Sequence, residues 1–323
     1  MEVNLAIRPR LADLVRLAGP ADAEARRIES TMESALEARK RKPRVTPPEA
    51  FEGRTGYHDD FLQGFAVPLP TPTGGGRQDV LPIEGTQNNR LDYQHFSVVM
   101  SRSRKIAMFV AVNIDGKASK SITRENDVWA LDGRVPLEAQ IGEELYSAND
   151  LDRGHLVRRE DPNWGSDDEA QIANEDTFHF TNCSPQMAAF NQRTWLGLET
   201  YVLQEARVDK DRITVFTGPV FGQRDPEYRG VKIPLAYWKV IAFINEDGRP
   251  SATAYMIDQK QELKTLEATF GVYKTYQRSV RQIEELTGLD FGELSGFDGF
   301  SNEERATSAR IESVLRTPAD MRV

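Results

Sequence analysis

Apolar positions Leu11, Leu14, Val15 and Ala18 recur at the period of an α-helix, so roughly the first 45 residues read as helical. Pro20 marks a break, and Ala21 to Lys42 continue as a charged, Ala-rich helix. That helix ends in Arg39-Lys40-Arg41-Lys42, just before Pro43. A positive last turn complements the helix dipole, although the same run could contact nucleic acid or a partner. Residues 68–90 are rich in Pro, Gly and polar side chains and read as a loop entering the main domain. The pattern then changes. HFSVVMS (95–101) and KIAMFVAVNI (105–114) are strand-like runs joined by a short turn, which predicts a hairpin. Further strands are expected at Phe178–Thr181, Ile213–Gly218, Ala236–Ile244 and Ala252–Asp258. Helical patterning covers 186–206, 261–270 and 276–287, with Gly288 placed as a C-cap, and 302–316 reads as a last short helix. Strands and helices mixed without regular alternation, and with no internal repeat, predict an α+β fold.

Composition narrows the function classes. A chain of 323 residues fits one large domain or two ordinary ones. With 39% hydrophobic residues it can bury a core, and no stretch approaches the ~20 apolar residues of a membrane span. Charged residues, at 28%, argue against disorder throughout. Lys and Arg number 41 against 50 acidic residues, a net charge of −9. No global basic field exists, so any nucleic-acid site must be a local patch. A single cysteine, Cys183, excludes an intramolecular disulfide and a multi-Cys zinc site. The N-terminus carries no apolar run of the kind a secretory signal needs. The expectation is a cytoplasmic protein with no membrane role, or one exported by another route.

The stretch DLDRGHLVRRE (150–160) holds the most chemistry. His155 is a side chain that can act as a neutral base near pH 7. Arg153, two residues earlier, would share its face on an extended strand and can clamp a phosphate. A base beside a phosphate clamp is what phosphodiester hydrolysis requires, although an exposed His in a charged loop also fits the tripeptide. Downstream, Asn182 ends an apolar run, and Asn191, Trp195 and Glu199 follow at four-residue steps on the expected helix. An amide and a carboxylate oxygen are hard donors suited to Mg²⁺. A solvated helix face would look the same.

Taken together, these pieces resemble the DNA/RNA non-specific endonucleases of the ββα-metal (His-Me finger, endonuclease G-like) class. DRGH is Asp152–His155, and TN-x-x-PQ is Thr181, Asn182, Pro185 and Gln186. N-x-x-x-W-x-x-x-E is Asn191, Trp195 and Glu199. TGPVF (217–221), IPLAYWKV (233–240) and ELTGLDF (285–291) complete the family order, over roughly 54–291. The resemblance implies His155 as general base, Asn191 as the direct metal ligand and Glu199 as the carboxylate holding metal-bound water. It implies Arg153 as the phosphate-charge stabiliser and Asn182 as an amide near the histidine, supporting it or contacting phosphate. It also implies an upstream arginine. Arg124 fits best, with Arg102, Arg104 and Arg134 as alternatives. The expected cofactor is Mg²⁺ or Mn²⁺, the substrates DNA and RNA, the ends 5′-phosphate and 3′-hydroxyl, and the assembly a homodimer. The expected fold is a largely antiparallel sheet with packed helices and a ββα-metal element.

Residues outside the motifs have plainer readings. His179 reads as core or strand-pairing, and His58 and His95 as structural or exposed. Asp152 reads as orienting its neighbours, Cys183 as a small buried residue and Asp167-Asp168-Glu169 as a solvated loop. Trp195 and Trp238 read as core. Arg158 and Arg159 are open between substrate and salt-bridge roles. The domain plan is a helical extension over 1–50, a nuclease domain over 51–295 and a helical tail over 296–323. An intracellular non-specific nuclease endangers its own host, so an inhibitor or activator acting through residues 1–50 is expected. A phosphodiesterase for small nucleotides is the alternative activity.

Overall fold

Five of the six apolar runs read as strands form the middle of an eight-stranded sheet. The computed structural model describes residues 43–123, 127–147, 149, 151–187, 206, 211–259, 274–315 and 320. The elements below belong to one compact unit within Pro43–Tyr146 and Asp150–Val323. The strands are β1 (Val45–Thr46), β2 (Thr71–Pro72), β3 (Arg90–Tyr93), β4 (Phe96–Met100), β5 (Ala107–Asp115), β6 (Leu131–Asp132), β7 (Leu151–His155) and β8 (Cys183–Met187). They continue with β9 (Arg212–Val220), β10 (Glu227–Tyr228), β11 (Val231–Lys232), β12 (Ala236–Ile244), β13 (Pro250–Asp258), β14 (Lys274–Arg278), β15 (Leu289–Asp290) and β16 (Glu312–Leu315).

The main sheet runs β16-β14-β13-β12-β9-β5-β4-β3, and every neighbouring pair is antiparallel. Its central strands are largely apolar because both faces are covered. Tyr237 and Ile241 of β12 enter one core, whereas Trp238, Val240 and Ala242 enter the other. Helix Val280–Thr287 closes the second face with Val280 and Ile283, joined by Phe291 and Leu294. Trp238 is fully buried, and its indole N–H donates to Pro219 O at 3.1 Å, so the polar end of the ring is satisfied. Gly218 is needed beside it. A Cβ there would lie 2.6 Å from Met108 O and 2.8 Å from the Trp238 ring.

The α+β, largely antiparallel expectation therefore holds, and the 95–114 hairpin is present as β4 and β5. Gly288 is the left-handed C-cap, with φ +68° and its N–H on Glu284 O. Several local readings need correction. Phe178–Thr181 is not a strand: Phe180–Asn182 form a 3₁₀ turn, closed by Asn182 N–H on His179 O at 2.8 Å, and the strand begins at Cys183. A short apolar run fits a buried turn as well as a strand. Residues 276–278 belong to β14, and helix Val280–Thr287 starts after Ser279, whose hydroxyl accepts from Gln282 N. The helix expected over 302–316 spans Gly299–Thr307, and β16 follows as a sheet edge, so the C-terminal tail is not wholly helical. Asp167-Asp168-Glu169 are the first turn of helix Asp167–Asp176, capped by a reciprocal Ser166–Glu169 box. Most of the helical readings at 186–206 and 1–45, and all of that at 261–270, lie outside the described residues, while Gln186 and Met187 are strand and Val45 belongs to β1.

Candidate active site

The DRGH residues lie on β7, which pairs with β8 as a separate two-stranded antiparallel ribbon. The register sets Asp152 opposite Gln186, Gly154 opposite Ser184, and His155 opposite Cys183. Alternation along the strand puts Arg153 and His155 on one face. Trp129 meets both: its ring lies 4.7 Å from the His155 ring and 6.0 Å from the Arg153 guanidinium carbon. Phe178 also meets the imidazole, edge-on at 5.1 Å, and lies 5.5 Å from the Trp129 ring. His155 is half-buried in this aromatic setting. Arg153 extends to the carboxylate of Glu143, on the short helix Glu143–Tyr146, with Nη1 2.6 Å from Oε2. Both side chains of that pair are more than a third exposed, so the contact is readily exchanged for another anion.

The ribbon is held from beneath. Tyr237 of β12 donates its hydroxyl to Pro185 O at 2.6 Å and lies 3.0 Å from Ser184 Oγ. Gln259 accepts from Met187 N at 3.1 Å and donates to Pro234 O at 2.6 Å. Gly154 has a steric reason. A Cβ would lie 2.2 Å from Gln186 Cδ, and Gln186 is fully buried, with no hydrogen-bond partner for its amide among the described residues.

Asn182 sits in the turn before β8 and is fully buried. Its Oδ1 accepts from Val157 N at 2.8 Å, and its Nδ2 donates to Val157 O at 2.9 Å and Thr177 O at 3.0 Å. The amide is thus used on the backbone two residues past His155.

A buried polar network adjoins that turn. Asp132 accepts from Arg134 Nη2 at 2.7 Å and from the Tyr93 hydroxyl at 2.5 Å. Because Tyr93 donates to the carboxylate, Thr181 is the donor in its 2.5 Å contact with Tyr93. Burial and then the adjacent Asp132 push the Tyr93 hydroxyl well above the usual phenol range, so it stays a donor. Arg134 stacks on Phe51 at 3.7 Å and on Tyr93 at 4.7 Å. Burial alone would weaken its charge, but the Asp132 carboxylate outweighs that and holds it protonated.

The remaining candidates are placed as follows. Arg124, Asn191, Trp195 and Glu199 lie outside the described residues. Arg134 is committed to Asp132, Arg104 is paired with buried Asp225 at 2.7 Å, and Arg102 reaches Val80 O, so the three alternatives to Arg124 all have structural partners. Arg159 binds Ile122 O and Asn174 Oδ1 and pairs with Glu160. Arg158 Nη1 is buried with no hydrogen-bond partner among the described residues. His179 is core, with Nδ1 on Asp176 O and Nε2 on Thr46 Oγ1. His95 is buried and stacked on Trp164 at 3.4 Å, and His58 is exposed. Cys183 is buried, its thiol pushed up chiefly by that burial. Among the described residues no group of three or more His, Cys, Asp or Glu is arranged to hold a metal, and no helix is long and apolar enough to cross a membrane. Sequence reasoning missed Glu143 and the contact of Trp129 with His155. Sequence distance hid both, since neither lies within the DRGH run.

Comparison with known proteins follows the same lines. An uncharacterized protein, y4fB, of Sinorhizobium fredii is 40% identical over 88% of this chain. The chain spans 46% of that relative's length, about half. A nuclease of a Nostoc species is 25% identical over 67% of this chain and 78% of its own. A crystal structure of endonuclease G bound to its inhibitor EndoGI matches with a TM-score of 0.50 at 17% identity, covering 66% of this chain and 88% of that one. This likeness concerns the fold. The family model of the DNA/RNA non-specific endonucleases matches residues 76–295, most of the chain and every described motif from β7 to β15, and the protein belongs to that family.

Proposed function

We propose that the protein is a sequence-non-specific endonuclease that hydrolyses phosphodiester bonds of DNA and RNA with the help of a divalent metal ion. The observation that carries this reading is the placement of His155 and Arg153 on one face of β7, against Trp129. In this reading neutral His155 takes a proton from the attacking water. General-base assistance of this kind contributes about 10²–10⁴ in rate. Arg153 exchanges Glu143 for a substrate phosphate and offsets charge that grows in the transition state. Arg124 and Arg158 are the further cations available to the same phosphate backbone. Asn182 holds the chain after His155 and so positions the base. Contacts to phosphate carry no base sequence, which fits cleavage without sequence preference.

Asn191 and Glu199 are the residues that would hold Mg²⁺ or Mn²⁺. Amide and carboxylate oxygens suit a hard cation. Bound there, the ion supplies Lewis-acid stabilisation of charge on the phosphate and the leaving oxygen. The endonuclease G complex concerns inhibition of that enzyme by a protein. By the same logic, a partner engaging residues 1–50 would hold this chain inactive.

The test is an end-group assay on purified full-length protein. Supercoiled plasmid and single-stranded RNA are incubated with Mg²⁺, with Mn²⁺ and with EDTA. The expected result is metal-dependent cleavage of both, abolished by EDTA, leaving ends that ligase can rejoin because they carry 5′-phosphate and 3′-hydroxyl. Cleavage that persists in EDTA, or 3′-phosphate products, would overturn the metal and end chemistry. Turnover of a dinucleotide with no action on polymer would favour the small-nucleotide alternative.

A further inference from the structure

The family match begins at residue 76, yet a segment ahead of it is tied to the two backbone segments whose rings contact the histidine. Strand β1 pairs in parallel with β6: Leu131 N donates to Arg44 O and Gly133 N to Thr46 O, each at 2.8 Å. The segment after Trp129 pairs in turn with the segment after Phe178. Ala130 N donates to Phe178 O, and Phe180 N donates to Ala130 O, each at 3.0 Å. Three backbone segments therefore lie side by side, and two of them carry the rings that frame His155.

Side chains repeat the connection. His179 Nδ1 faces the carbonyl of Asp176, which can only accept, so Nδ1 carries the proton. Its Nε2 is then an acceptor, and the Thr46 hydroxyl donates to it at 2.9 Å. Phe51 lies 5.1 Å from the His179 ring and 5.4 Å from Tyr93, beneath the Arg134 guanidinium. Arg54 pairs with buried Asp176 at 2.7 Å, and Gln94 N donates to the same carboxylate.

We propose that residues 44–54 form a positioning strap for the His155 imidazole, acting through Trp129 and Phe178, with Thr46 and Phe51 as its positioning residues. The strap fixes the two backbone segments whose aromatic rings stand 4.7 Å and 5.1 Å from the imidazole. Close-packed interiors transmit such displacements rather than absorb them, and small errors in the placement of a reacting group are costly in rate. The inference rests on the reading of His155 as the base.

The experiment compares full-length Thr46→Val, Thr46→Ser, Phe51→Leu and His155→Ala with wild type. It reads kcat and KM on plasmid, the melting temperature, and the His155 Hε1 proton resonance. That resonance is assigned by its loss in His155→Ala among the four histidines of the chain. A positioning strap predicts that Thr46→Val and Phe51→Leu lower kcat about tenfold with KM held within about twofold. The His155 resonance shifts in both, and Thr46→Ser restores kcat and resonance together. A lower melting temperature with wild-type kcat and an unmoved resonance would overturn the strap and leave a merely structural segment. If Thr46→Val does not fold, Phe51→Leu, which keeps every hydrogen bond, decides between the same outcomes. Wild-type kcat in His155→Ala would instead overturn the base reading, so the two failures are distinct.

Discussion

At the scale of single residues, the ribbon explains why a glycine stands between the arginine and the histidine. Gly154 has no room for a side chain because the buried Gln186 amide crosses it. Gly154→Ala is therefore expected to destabilise the protein by about 1–3 kcal/mol, the usual cost of overpacking. Urea unfolding checks this, and an unchanged midpoint would mean that the ribbon can open at that point. Arg153 and His155 sharing a face was legible from their spacing alone, since the strand period is two. What Asn182 does was not legible. Its residue type suits several roles, and only the fold shows its amide spent on Val157 and Thr177. Trp129 and Glu143 were hidden for a related reason: their relation to the ribbon arises from long-range packing, which leaves no local pattern.

At the scale of elements, the sequence was most informative where an apolar run was long. Ala236–Ile244 is reproduced residue for residue as β12, because a nine-residue run flanked by turns has few other uses. The short run at 178–181 was ambiguous, and side-chain bonds from Asn182 to the backbone settled it as a turn. Over 302–316 the pattern predicts one helix, whereas Ser308 adopts a left-handed cap and the chain turns back as β16. The segments around the site also carry a pH dependence of stability. Burial holds His95 and His179 below the ordinary histidine range in the folded protein. Between the folded and unfolded values the unfolded chain binds more protons, so stability rises with pH there. The contribution is complete above about pH 6.5 and is lost as pH falls below it, by up to about 1.4 kcal/mol per unit for each group. Chemical denaturation from pH 7.5 to pH 5 should show this slope reduced in His179→Gln. An identical slope in the variant would show that His179 does not titrate on unfolding.

At the scale of the whole molecule, the antiparallel sheet is a platform with two differently used faces. One face is closed by the helix Val280–Thr287. The other receives the β7–β8 ribbon through Tyr237. On the proposed reading, a net charge of −9 would leave nucleic-acid attraction to local cations such as Arg153 and Arg158 rather than to an overall field. The central claim is that His155 is the proton acceptor in phosphodiester cleavage, and single-turnover cleavage of plasmid and single-stranded RNA by wild type and His155→Ala tests it most directly. The account predicts a loss of at least about 10²-fold on both substrates, with binding retained. Cleavage by His155→Ala within a fewfold of wild type would contradict it.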